Sequence, residues 1–92
     1  MTKAELVAMD ERFIGWLANA DSDYEEWKNK RFIIVEETKD SELTILGFDA
    51  LEKLKEYAEI DEEESGWFVV AIFDLHQKKQ LSYARKVIIE IS

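Results

Sequence analysis

The chain of 92 residues has no cysteine and one histidine, His76. Without cysteine it has no disulfide bond, thiolate metal site, iron–sulfur cluster or cysteine nucleophile. A single histidine excludes a multi-histidine metal site within one chain and leaves Ser-His-Asp chemistry dependent on His76. The three glycines are scattered and none stands in a G-x-G pattern, which excludes a glycine loop for binding phosphate.

Long apolar segments are also missing. The longest uncharged run, residues 65–73, covers nine positions, whereas a membrane-spanning helix needs about 18 or more. Near the N-terminus, Glu5, Asp10 and Glu11 stand where a secretory signal peptide would be apolar. We therefore expect a soluble, cytoplasmic protein that does not bind membranes.

Positive charge is scarce. The chain has 21 acidic and 12 basic side chains and a net charge of −9, and residues 1–65 carry 19 of the acids but only eight of the bases. Binding to nucleic acid needs a lysine or arginine surplus on the contact surface, so direct nucleic-acid binding is not expected. The surplus of carboxylates favours a basic protein partner, or else serves solubility.

The N-terminal third is predicted to be helical. Thr2 and Glu5 form a capping box, and apolar residues at helical spacing follow, which predicts a helix over about residues 3–20. Ser22 and Glu25 have the same spacing and predict a second, short helix.

Four strands and another helix are expected in the remainder. Phe32–Val35 and Leu43–Leu46 are short β-branched or aromatic runs that predict a hairpin, and apolar spacing predicts a helix over about residues 50–59. Residues 61–66 are expected to form a loop. Trp67–Leu75 is the strongest strand pattern, and Leu81–Ile91 is its expected partner.

The predicted fold is therefore a single α+β domain over residues 1–92 in the order α(α)-β-β-α-β-β. We expect a four-stranded, mostly antiparallel sheet with its helices packed mainly on one face. One face would then stay partly exposed at five apolar positions, and such a patch is typical of an interface. The five are Ile33, Val35, Trp67, Val69 and Phe73. Alternatively, the helices divide between both faces and bury them.

The sequence does not favour a catalytic or metal site at either of two candidate positions. Asp74 and His76 lie two apart on a strand, on one face, but no nucleophile or third ligand is within sequence reach. Residues 21–32 and 61–72 place acids as in calcium loops, but each lacks the acid at the twelfth position. We expect no metal, no cofactor and no enzymatic activity.

The acidic clusters are the preferred candidate site. Carboxylates beside aromatic rings suit an arginine-rich partner, since guanidinium pairs with the former and stacks on the latter. The hypothesis is a small adaptor or inhibitor, acting as a nucleic-acid mimic towards a basic, nucleic-acid-binding protein. A further acidic group, Glu36, Glu37, Asp40 and Glu42, crowds the first hairpin turn. The predicted partner-binding residues are Asp21, Asp23, Glu25, Glu26, Trp27, Asp61, Glu62, Glu63, Glu64, Trp67 and Phe73.

A structural role is the alternative. A homodimer or assembly subunit would pair through the apolar sheet face or through the edge strand that ends at Ser92. This alternative needs no contribution from the acidic residues.

Overall fold

The structure is a computed structural model that describes the backbone of residues 1–20, 23–64, 67–84 and 87–90. Side chains are described for residues 1–20, 23–58 and 68–82. The helices are α1 (Lys3–Met9), α2 (Phe13–Asn19), α3 (Tyr24–Trp27) and α4 (Leu51–Glu64). The strands are β1 (Phe32–Thr38), β2 (Leu43–Phe48), β3 (Trp67–Asp74), β4 (Lys79–Ala84) and β5 (Val87–Glu90).

The first predicted helix is interrupted at Asp10. The Thr2–Glu5 capping box is present at the start of α1, as predicted. Asp10 then adopts an extended conformation, and its carboxylate accepts the backbone N–H of Arg12 at 2.9 Å. An aspartate that bonds a nearby backbone N–H competes with the helix, which explains why α1 and α2 are separate.

The short helix α3 is present where it was expected. Its N-cap is Asp23, whose side chain accepts the backbone N–H of Glu25 at 2.9 Å. Ser22, the predicted cap, lies outside the described residues.

The strands form one antiparallel sheet in the order β2-β1-β3-β4-β5. The α+β class and the antiparallel sheet are confirmed. The described sheet has five strands because the segment predicted as one strand, Leu81–Ile91, includes most of β4 and all of β5, which pair with each other. The turn between β3 and β4 comprises residues 75–78, and Asp74 lies opposite Lys79.

A β-bulge changes the faces of β3. Val35 pairs with Ala71, but the next residue, Glu36, pairs with Val69. Val70 is the extra residue and packs on the same side as Ala71, while Val69 moves to the opposite side. A bulge inserts one residue into a strand and thereby reverses the alternation beyond it.

Helices cover both faces of the sheet. Three of the four, α1 to α3, pack on one face, which we call the first face, and α4 covers the second face. The first-face core includes Leu6, Phe13, Trp16, Trp27, Ile33, Val35, Leu43, Ile45, Ala71, Phe73 and Leu75. The second-face core includes Phe32, Ile34, Leu54, Ala58, Ile72 and Leu81.

The expected open apolar face is therefore wrong. Ile33, Val35 and Phe73 are fully buried beneath α1 to α3, and Val69 is half-buried against α4. The side chain of Trp67 lies outside the described set. In the described part of the sheet, helices pack on both faces, as in the alternative arrangement, and three of the four lie on the first face.

Helix α4 is longer than predicted. It continues through Glu64 and so includes four residues expected in a loop, Asp61–Glu64. Within the described part of the chain, no helix has the length and apolar character needed to cross a membrane.

Candidate protein-binding groove

The acidic residues around α3 stand at the surface. Asp23, Glu25 and Glu26 are exposed. Asp23 caps α3, and Glu25 forms an ion pair with Lys28 at 2.5 Å, which raises the pKa of Lys28. Two of these three carboxylates therefore already interact within the chain. Asp21 lies outside the described residues.

The aromatic residues expected to bind a partner do not form a surface. Trp27 is 3% exposed and Phe73 is 1% exposed, and both belong to the first-face core. In the folded chain these two side chains stabilise the interior. Trp67 is the first residue of β3, where only its backbone is described.

The third acidic block lies in α4. The backbone of Asp61, Glu62, Glu63 and Glu64 is helical. Their side chains lie outside the described set.

Among the described contacts, Asp74 bonds the backbone of His76 and not its ring. Asp74 is 3% exposed, and its carboxylate accepts hydrogen bonds from Arg31 at 3.2 Å and from the backbone N–H groups of His76 and Gln77. Burial alone would raise the pKa of Asp74, but the bonds from Arg31 and the two amides outweigh it and lower that pKa. His76 itself is exposed. The carboxylate thus anchors the turn after β3.

An open groove runs along one side of α2. Arg12, Gly15, Trp16 and Asn19 form this wall. The spacing of three or four residues places them on one side of a helix. The guanidinium of Arg12 lies 4.8 Å from the Trp16 ring centroid, and this contact holds the two side chains together at one end of the wall.

The opposite wall is the β1–β2 hairpin. Glu37, Ser41 and Leu43 line it, and the space between the walls is about 640 Å³. We call this space the hairpin groove. Ser41 has a φ of 65°, and its backbone N–H donates to the carbonyl of Thr38 at 3.0 Å, so the turn is closed by its own hydrogen bonds.

Three carboxylates beside the groove have no ion-pair partner among the described residues. They are Glu37, Asp40 and Glu42, which we call the hairpin carboxylates. Glu37 is half-buried in the groove, while Asp40 and Glu42 flank Ser41 and are exposed. The sequence pointed to the same turn, but its fourth acid, Glu36, is buried and accepts the Tyr57 hydroxyl at 2.5 Å.

The cation in the groove wall is already neutralised. Arg12 binds both carboxylate oxygens of Asp10, the shortest contact being 2.7 Å. This bidentate pair lowers the pKa of Asp10 and raises that of Arg12. Glu37 is therefore the carboxylate that sets the charge of the groove lining, while Asp40 and Glu42 are exposed at the adjoining turn.

An exposed aromatic ring lies next to Glu37. Phe68 of β3 is the cross-strand neighbour of Glu37 and is 56% exposed. Residues directly opposite in an antiparallel pair direct their side chains to the same face. Phe68 therefore offers apolar contact area beside the hairpin groove, a residue that sequence reasoning did not select.

Gly15 is the second residue that sequence reasoning missed. It lies in the middle of α2, is exposed, and a Cβ built on it would meet nothing within 4 Å. Glycine inside a helix costs about 0.5–1 kcal/mol relative to alanine. A glycine within an otherwise good helical pattern is the signal that could have found it.

The described residues contain no cluster of three histidine, aspartate or glutamate side chains placed to hold a metal ion.

Comparison with known proteins gave no match. Neither the protein-family models, nor the curated proteins, nor the solved structures contain a significant similarity to this chain.

Proposed function

We propose that the protein is a non-enzymatic binding module, an adaptor or inhibitor, whose partner is a basic protein. The observation that carries this proposal is the set of hairpin carboxylates, which lack an ion pair within the described chain. Glu37 lines the open groove, and Asp40 and Glu42 are exposed at the adjoining turn. Carboxylates in such a position attract a basic surface and align it before contact.

Affinity would come from the groove and from Phe68. An interface gains most of its binding energy from a few desolvated side chains, commonly aromatic or arginine. Phe68 takes the role that the sequence assigned to Trp27 and Phe73, because those two rings are buried in the core. The net charge of −9 supports the version in which the carboxylates replace nucleic-acid phosphates on the partner. We propose that this binding takes place in the cytoplasm.

Charge reversal tests the proposal. Tagged wild-type protein would capture partners from source-cell lysate, and the same capture would be repeated with the double variant Asp40→Lys, Glu42→Lys. We expect basic proteins to be retained by the wild type, released at about tenfold higher salt, and lost by the variant.

The matched control reverses two exposed carboxylates on the other side of the sheet, Glu52→Lys and Glu56→Lys on α4. This control carries the same net charge as the hairpin variant. If both variants lose the same partners equally, only overall charge matters and the hairpin is not the binding surface. If neither loses them, the proposal is wrong.

The apolar contribution has its own test. Phe68→Ser removes an exposed ring and should weaken partner binding by about tenfold or more, while the melting temperature changes little. Unchanged affinity would exclude Phe68 from the interface.

Self-association through the sheet edge is the second candidate. Strand β5 is the last strand of the sheet, and its sequence is Val-Ile-Ile-Glu, without lysine or proline. An edge of this composition can pair with a second copy. Sedimentation velocity over a wide concentration range tests it: a dimer that persists at high salt supports the candidate, and a monomer throughout excludes it.

A further inference from the structure

The two glycines with described surroundings occupy very different environments. A Cβ on Gly47 would lie 2.6 Å from the Cγ of Lys30 and 2.9 Å from the Cβ of Trp27. The chain itself therefore requires glycine at position 47. At Gly15 a Cβ would meet nothing, so packing within the described chain gives no reason for glycine there.

Gly15 exposes helix backbone in the wall of the hairpin groove. The side-chain amide of Asn19, one turn later, donates to the Gly15 carbonyl at 2.9 Å and holds that part of the wall in place. Glycine allows another backbone to approach more closely than any other residue does. Position 15 thus leaves open space in the groove wall, where the backbone of another chain could approach the helix closely.

The charge of the groove indicates what approaches. Glu37 lies on the wall opposite Gly15, and Asp40 and Glu42 add two exposed carboxylates at the turn. Arg12 is held by Asp10 and does not neutralise them. A lysine or arginine side chain complements this surface.

We propose that the hairpin groove binds an extended, arginine- or lysine-bearing segment of a partner protein, with the partner's main chain packed against Gly15 and its cationic side chain at Glu37. We take the segment to be extended because an extended main chain is open for contact along its length, whereas side chains surround the backbone of a helix. This inference rests on the proposed function and specifies the binding site.

A defined probe makes the inference testable. We would use a short, fluorescein-labelled peptide of alternating arginine and serine and measure its affinity by fluorescence anisotropy at low salt. Gly15→Ala should raise the melting temperature by about 2–8 °C, because alanine favours the helix. The same variant should bind the peptide at least about tenfold more weakly, because its methyl group blocks the approach.

Ala18→Gly is the matched control. Ala18 is exposed on α2 and does not line the groove. This variant should lower the melting temperature and leave the affinity unchanged. Since the variant expected to lose binding is the more stable one, unfolding cannot explain the loss.

The site can also be located directly by NMR. The chain has three glycines, so the Gly15 amide signal lies in an uncrowded region of a nitrogen–proton spectrum. Peptide addition should shift the signals of Gly15, Asn19 and Ser41 more than those of Glu52 and Glu56.

The outcomes separate this inference from the proposed function. Suppose that Gly15→Ala binds the peptide like the wild type, while the double variant Asp40→Lys, Glu42→Lys does not bind it. The acidic surface then attracts the peptide without a defined site, and the proposed site in the groove is wrong. If the charge reversal also leaves peptide affinity unchanged, the proposed function fails as well.

Discussion

Asp74 holds the turn that follows β3. Its carboxylate is buried and accepts hydrogen bonds from three residues. They come from the side chain of Arg31 and from the backbone N–H groups of His76 and Gln77. A carboxylate with such partners stabilises the fold only in its charged form. Its structural role therefore depends on pH.

The free energy of unfolding should decrease as the pH is lowered, because Asp74 then loses its charge. The fold lowers the pKa of this carboxyl, so its contribution is fully present above the unfolded value of about 3.9 and is lost as pH falls through the lower folded value. Asp74→Asn should cost about 1–3 kcal/mol at pH 7. Urea unfolding at pH 7 and pH 3 checks this: the difference between wild type and variant should shrink at pH 3, and a constant difference would contradict it.

Gly47 gives a second prediction at this scale. Gly47→Ala forces a methyl group against the Cβ atoms of Trp27 and Lys30, both 2.9 Å away. A Cβ atom is bonded directly to the backbone, so it can move aside only if the main chain shifts. We therefore expect the free energy of unfolding, measured with urea, to decrease by about 1–3 kcal/mol. Gly15→Ala is the comparison, since the same change there should stabilise the protein. A neutral effect at Gly47 would mean that the segment after α3 can move aside.

Three elements differ from their predicted form. Asp10 divides the first helix because it bonds a backbone N–H, and the bulge at Val70 arises from pairing between β1 and β3. Helix α4 extends past its predicted end. Its packing on the second face involves Tyr57, whose ring stacks near Phe48 with centroids 5.4 Å apart.

The hydroxyl of Tyr57 should stabilise the contact between α4 and β1. It donates to the buried carboxyl of Glu36, whereas the Tyr24 hydroxyl donates to the carbonyl of Met1, which is half-buried. Tyr57→Phe keeps the ring contact and should cost about 1–2 kcal/mol. Tyr24→Phe, the same chemical change in a more exposed place, should cost less by urea unfolding. A larger loss of stability from Tyr24→Phe than from Tyr57→Phe would show that the hydrogen bond between Tyr57 and Glu36 contributes little to stability.

At the scale of the whole molecule, negative charge acts on both binding and stability. The net charge of −9 is held within principal extents of 33 × 30 × 21 Å. The Debye length is about 30 Å at 0.01 M salt and about 8 Å at 0.15 M. Carboxylates on opposite sides of the molecule therefore repel each other at low salt but are screened at physiological salt.

We expect the melting temperature to rise between about 0.01 and 0.15 M sodium chloride, because screening relieves this repulsion in the compact state. The variant Asp40→Lys, Glu42→Lys has a net charge of −5 and should respond less. Differential scanning calorimetry measures both. A melting temperature that falls with salt would show that attractive ion pairs outweigh the repulsion.

The sequence alone determined the local structure and the electrostatic character. Short-range rules suffice for the Thr2 capping box, the short helix α3, the alternating patterns of the strands and the acidic surplus, because each depends on residues a few positions apart. The α+β class follows from the order of these elements. The acidic turn of the first hairpin was visible in the same way.

Only the tertiary structure decided which faces are covered and where a groove remains. The bulge between β1 and β3, the position of α4 on the second face and the burial of Trp27 and Phe73 depend on contacts between distant segments. Apolar residues in a strand read alike whether they face a helix or solvent, so burial could not be assigned beforehand. For the same reason the hairpin groove, formed by α2 and the β1–β2 hairpin, became visible only in the folded chain.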